Sequence, residues 1–168
     1  MTGKMTPPAR IEGWEGALLR FVEGCRSAPF SWGRFDCCLF AADALRAITG
    51  VDAFAPFRGR YRSGGGALRV MRRAGYDDLL GAASAVLGGL GLNEVAPLSA
   101  RRGDIVAIAL ADGNAGAREG FSHALGVAMA GDCLVPMHRA GLARRPLTHV
   151  ARAWHVPFAA PADGGGGR

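Results

Sequence analysis

Two adjacent cysteines, Cys37 and Cys38, stand directly behind Asp36 in the stretch FSWGRFDCCLFAADALRAITG, residues 30–50. The apolar spacing that follows predicts a helix from about Asp36 to Ile48, with Asp36 as its N-cap and Gly50 as its stop. Cys37 then falls in the first helical turn, where unpaired N–H groups and the helix dipole favour an anion. A thiol so placed is expected to ionise more easily than an ordinary one, which is how a nucleophilic cysteine is prepared. The competing reading makes both cysteines small apolar fillers. Adjacent helical positions differ by about 100° in direction, so at most one of the two can face a cleft squarely, and the expectation is that Cys37 attacks while Cys38 packs. Cys25, Cys133 and the four histidines share no recognised ligand spacing with this pair, so neither a metal site nor a disulfide framework is expected and no cofactor is implied.

A nucleophilic thiol needs a base, and His123 is the candidate. If Gly131-Asp132 is a two-residue hairpin turn, position 130 faces 133 and His138 lies opposite Leu125. His123, Leu125, Val127 and Met129 share one face of their strand, and His138 joins that face as a diagonal neighbour of His123. A three-residue turn would put His138 on the other face. On the first arrangement one imidazole takes the thiol proton and the second orients it. The bland alternative for His123 is a satisfied histidine at a sheet margin. His149 and His155 read as surface or structural residues.

Several elements must position these groups. Trp14, Leu18, Val22 and Cys25 form the stripe of an amphipathic helix over 12–26, which makes Cys25 a core residue. Residues 51–66, with Pro56 and a triple glycine, read as a loop. Two short helices follow over 67–75 and 76–89. The period then changes to short apolar or alternating runs at 102–110, 122–130, 133–140 and 150–158, separated by ADGNAGAREG, GD and GLARRP. Helices first and strands afterwards predict an α+β domain, with N-terminal helices packed on a C-terminal antiparallel sheet. Residues 1–10 and the glycine-rich end, 159–168, are expected to be flexible, leaving a single domain over 11–158.

Composition narrows the partners. The chain has 168 residues, 49% of them hydrophobic, enough for one ordinary core. Its net charge of +6 suits an anionic partner, yet the arginines are scattered rather than clustered among aromatics, which argues against nucleic acid. MTGKMTPPAR lacks the apolar stretch of a secretory signal, so folding in the cytoplasm is expected. The longest uncharged run, Leu79 to Asn93, is too short and glycine-rich for a membrane anchor.

Three segments together resemble the NlpC/P60 superfamily of papain-like cysteine peptidases, and most nearly its small members encoded among phage tail genes. They are PFSWGRFDCCLF (29–40), similar to the aromatic-x-Trp-Gly stretch leading into Asp-Cys at a helix start; RGDIVAI (102–108), similar to a Gly-Asp strand; and HALGVAMAGDCLVPMH (123–138), similar to the His-bearing strand and its hairpin. The resemblance implies that Cys37 is the nucleophile, His123 the general base and His138 the orienting residue, with Trp32, Gly33 and Asp36 on the substrate-binding side of the cleft. It further implies cleavage of peptide or amide bonds in peptidoglycan stem peptides, in a virion tail opening the wall, with tail-tip or hub proteins as partners. Phe30 stands where many members have a tyrosine, and the family's His-Val-Gly-Ile pattern is one residue longer here, as His123-Ala124-Leu125-Gly126-Val127. The second expectation is therefore a tail component that keeps the fold and has lost the chemistry.

Overall fold

Two local signals set the first layer of the fold. α1 (Trp14–Cys25) buries Trp14, Leu18, Val22 and Cys25, the stripe its spacing predicts. α2 (Cys37–Thr49) starts at an Asp36 cap whose carboxylate accepts the Leu39 N–H, and stops at Gly50, which adopts the left-handed conformation (φ 79°). α2 is buried along nearly all of its length, so it runs through the protein rather than along its surface, packed against α1 and the sheet. The computed structural model describes residues 5–111 and 120–161. Two further helices, α3 (Gly64–Arg73) and α4 (Leu79–Gly89), complete the helical part, with a short 3-10 turn at Ala55–Phe57 between α2 and α3.

The sheet has six strands in the order β1-β6-β2-β3-β4-β5, every pairing antiparallel. They are β1 (Glu94–Val95), β2 (Ile105–Ala109), β3 (His123–Ala128), β4 (Asp132–Met137), β5 (Gly141–Pro146) and β6 (Val150–Trp154). Central β2 is flanked by β3, with Ile105 opposite Val127 and Ala109 opposite His123, and by β6. Ile105, Val106, Leu125, Val127 and Trp154 are fully buried, so the core lies where α2 meets the middle of the sheet. The architecture is α+β, helices then antiparallel strands, as the order of periodicities predicts. Among the described residues no helix is long and apolar enough to cross a membrane.

Four local expectations need correction. GLARRP is not a separator but strand β5, paired with β4 from Asp132–Pro146 to Met137–Gly141. As an edge strand it needs no apolar alternation, and its arginines keep their heads towards water. Gly64–Gly66 is not loop but the first turn of α3, because Ser63 caps it by accepting the Gly66 N–H at 3.1 Å. The β3–β4 turn is Ala130-Gly131 rather than Gly131-Asp132: Ala128 faces Cys133, and the Met129 N–H reaches the Asp132 carbonyl at 2.7 Å. Gly131 has a φ of 86°, which suits it to the second turn position.

Arg10, expected among the flexible N-terminal residues, is instead buried. Its guanidinium donates to the Val156 and Arg102 carbonyls at 2.8 and 2.7 Å and to Asp104 at 2.9 Å, and lies between the Trp14 and Phe158 rings. Burial lowers the Arg10 pKa while Asp104 opposes that shift. The Asp104 carboxylate also contacts the Arg101 and Val156 N–H groups and the His155 ring, so one buried pair joins both ends of the domain. The expectations for 1–4, 112–119 and 162–168 lie outside the described residues.

Candidate active site

The segment before α2 is held by one carboxylate. Asp36, fully buried, accepts the Leu39 N–H at 3.0 Å, the Gly33 N–H at 2.8 Å and the Tyr61 hydroxyl at 2.8 Å. Burial pushes the Asp36 carboxyl above the ordinary range, against the pull of those donors. Asp36 is thus spent on shaping the loop. Gly33 has φ 77°, and a Cβ there would run into the Tyr61 carbonyl oxygen, so only glycine lets the loop lie against residue 61.

This loop delivers Trp32 and Cys37 to one small cavity of about 20 Å³. Cys37, His123 and His138 all line it, together with Phe30, Trp32, Phe121 and Met137. Three residues far apart in the chain therefore converge as their types suggest. Gly33 and Asp36 do not line the cavity, whereas Trp32 does. Cys38 is buried beside Cys37 and does not line the cavity, in keeping with a packing role.

The convergence differs in detail from the expected triad. Regular pairing of β3 with β4 stops at Val127–Leu134, and a Cβ at the next residue, Gly126, would run into the Leu134 carbonyl. His138 is not a strand residue; it begins the turn between β4 and β5, in which Arg139 takes a positive φ of 69°. The ring of His138 packs edge-on against Phe30 at 5.4 Å, and its buried Nδ1 has no hydrogen-bond partner among the described residues. The group bonded to His123 is Ser122, whose Oγ lies 2.9 Å from His123 Nδ1. In the tautomer where Nδ1–H donates to that hydroxyl, Nε2 is the free base. Ser122 was legible only as a hydroxyl next to the candidate base, with nothing in its spacing to single it out.

The expected easy ionisation of Cys37 is overturned. Burial, with the Asp36 charge adding to it, pushes the Cys37 thiol up to about 12. Backbone N–H groups of Leu125, Cys38 and Cys37 favour the thiolate, as a helix start should, but they do not offset the loss of water. At neutral pH the sulfur is a thiol that needs a base. Burial lifts Cys38 well above its ordinary value too.

Aromatic rings form one wall of the cavity. Trp32 stacks on Phe121 at 5.2 Å and meets the edge of Phe30 at 4.9 Å, and its buried Nε1 has no hydrogen-bond partner among the described residues. On the other side of Trp32 lies a separate depression of about 450 Å³, lined by Ser31, Gly33, Arg34, Tyr61 and Arg62 as well. Among the described residues no group of three or more His, Cys, Asp or Glu could hold a metal ion, and all four cysteines are free.

A family model described as a domain of unknown function (DUF6950) matches residues 9–156 of the chain. No curated protein and no solved structure matches it.

Proposed function

The chain belongs to that family of domains of unknown function, and we propose that this member is a thiol-dependent peptidase or amidase of the NlpC/P60 kind. The observation that carries the reading is the meeting of Cys37, at the first position of α2, with His123 and His138 around one cavity. In the proposed reaction Cys37 Sγ attacks an amide carbonyl carbon while His123 takes the thiol proton. N–H groups at the start of α2 stabilise the oxyanion, His123 returns the proton to the leaving amine, and water then hydrolyses the thioester. A protonated resting thiol suits this order, since the proton leaves only when a base and a substrate are both in place.

The resemblance to tail-encoded members supports peptidoglycan stem peptides as the proposed substrate, a virion tail as the proposed location and tail-tip or hub proteins as the proposed partners. The cationic surface fits an acidic wall polymer. The test combines two measurements on wild type, Cys37→Ser and His123→Ala: alkylation of each cysteine against pH, read by mass spectrometry, and release of peptides from purified peptidoglycan. Release by wild type and loss in both variants supports the peptidase. No release, with Cys37 alkylation unaffected by His123→Ala, rejects it.

A second reading, a tail component without chemistry, is favoured by the small size of the cavity, about 20 Å³, which holds about one water and no peptide. On that reading Cys37→Ser particles assemble and infect like wild type.

A further inference from the structure

We propose that the arginine-lined groove between residues 56–63 and α3 is a docking site for an acidic segment of a partner protein, one that also carries apolar side chains. The inference goes beyond the reading of Cys37 and does not depend on it. In the run Arg58-Gly59-Arg60-Tyr61-Arg62, Arg58 is tied to Asp43 and Asp52, and Tyr61 is buried with its hydroxyl on Asp36. Arg60 and Arg62, on either side of the buried ring, are left exposed. α3 brings exposed Arg69 and Arg73, four residues apart and therefore on one helix face, to the same place.

These four arginines line one depression of about 410 Å³, and Arg60 and Arg73 also line an adjoining one of about 480 Å³. No Asp or Glu lines either depression, and none of the four takes part in a salt bridge among the described residues. Arginines elsewhere on the surface do find carboxylates, as Arg26 does with Glu23 and Arg152 with Glu94. Like charges four residues apart weaken a helix slightly, so the stability of α3 does not account for Arg69 and Arg73. A concave surface lined by one sign of charge focuses its field on an incoming counter-charge. All four cations are guanidiniums, whose planar forks match the paired oxygens of a carboxylate, and arginine clusters are a recurring way of recognising acidic peptides.

The apolar part of the lining selects the class of anion. Pro56, Phe57, Val70 and Ala74 line the adjoining depression beside Arg60 and Arg73. A peptide can set an apolar side chain against them while its carboxylates meet the guanidiniums. A glycerol-phosphate wall polymer has no apolar side chain to place there. Single-stranded nucleic acid binds on exposed rings where its bases stack, whereas the rings that line this groove, Phe57 and Tyr61, are buried.

Fluorescence anisotropy tests the assignment with labelled probes: a short peptide repeating glutamate-glutamate-leucine, the same peptide with serine for leucine, an oligothymidylate and a poly(glycerol phosphate). Two double variants alter opposite walls of the groove, Arg69→Glu with Arg73→Glu and Arg60→Gln with Arg62→Gln. Arg20→Glu with Arg26→Glu is the control, because both arginines are exposed and line neither depression. The expected result is that wild type binds the leucine-bearing peptide most tightly. Each groove variant should weaken that binding roughly tenfold or more, while the control keeps it. An equal loss in the control would reduce the effect to overall charge, and equal binding of the serine peptide would remove the apolar contact. Tighter binding of oligothymidylate or poly(glycerol phosphate) would assign the groove to another polymer. Each of these results, or no binding of any probe, overturns the inference. Cys37→Ser should bind the peptide like wild type, so failure here leaves the reading of Cys37 untouched.

Discussion

Tyr61 donates its hydroxyl to the Asp36 carboxylate at 2.8 Å, and so ties the segment before α3 to the cap of the helix that carries Cys37. The bond is buried, 25 residues separate its ends, and the same carboxylate holds Gly33 and Leu39. Asp36→Ala leaves two buried donors and one part-buried donor without an acceptor and is expected to cost about 3 kcal/mol or more, whereas Tyr61→Phe removes one bond and costs about 1 kcal/mol. Urea denaturation of the two variants checks the ranking. Equal losses would mean that the Tyr61 bond carries all of the Asp36 contribution and that the bonds to Gly33 and Leu39 add nothing.

Gly33 and Gly50 have nearly the same positive φ, 77° and 79°, in different surroundings. A Cβ at Gly50 meets nothing within 4 Å, whereas one at Gly33 collides with the Tyr61 carbonyl. Gly50→Ala is expected to cost about 1–2 kcal/mol, the left-handed penalty alone. Gly33→Ala adds displacement of the Trp32 loop, so it should cost more and should also slow labelling of Cys37. Matched unfolding curves for the two variants would contradict the close approach.

The stability of the fold should fall in alkali. Burial raises the pKa of all four thiols from about 9, to about 12 for Cys37 and about 11 for Cys133. The native state therefore keeps its thiol protons where the unfolded chain has begun to lose them. With fewer protons bound to the unfolded state, stability falls as pH rises. The contribution is complete below pH 9 and is lost progressively through 11 to 12. Urea midpoints between pH 8 and 11 check this, on the order of a pH unit at a time. Cys133→Ala, less stable at neutral pH, should show a shallower alkaline decline.

Arg10 and Asp104 form a salt bridge with side chains 1% and 0% exposed. Arg10→Leu leaves the Asp104 charge buried without its cation and is expected to cost about 3–5 kcal/mol. A thermal melt reads the loss. Surface Arg26, paired with Glu23 in water, supplies the control: Arg26→Ala should change stability by less than about 1 kcal/mol.

How far the chain could be read depended on the range of each signal. The stripe of α1 and the Asp36 and Gly50 boundaries of α2 are set within a few residues, by helical periodicity and by capping, and were legible. β5 was not, since an edge strand with exposed arginines carries no alternation to detect. The β3–β4 turn was misplaced by one residue because several small or polar residues around Gly131 suit a tight turn, and only the pairing of Ala128 with Cys133 selects one.

The candidate site divides in the same way. The sequence by itself determined that Cys37 begins a helix and that His123 and His138 lie on or beside neighbouring strands, because cap residues and strand alternation act locally. The tertiary structure decided which groups those side chains meet. It gave His123 a Ser122 partner, left His138 Nδ1 and Trp32 Nε1 without one, and raised the Cys37 pKa where the helix start alone would lower it. Desolvation and hydrogen bonding depend on neighbours brought from distant parts of the chain, and the water they exclude from Cys37 outweighs the field of the helix it begins.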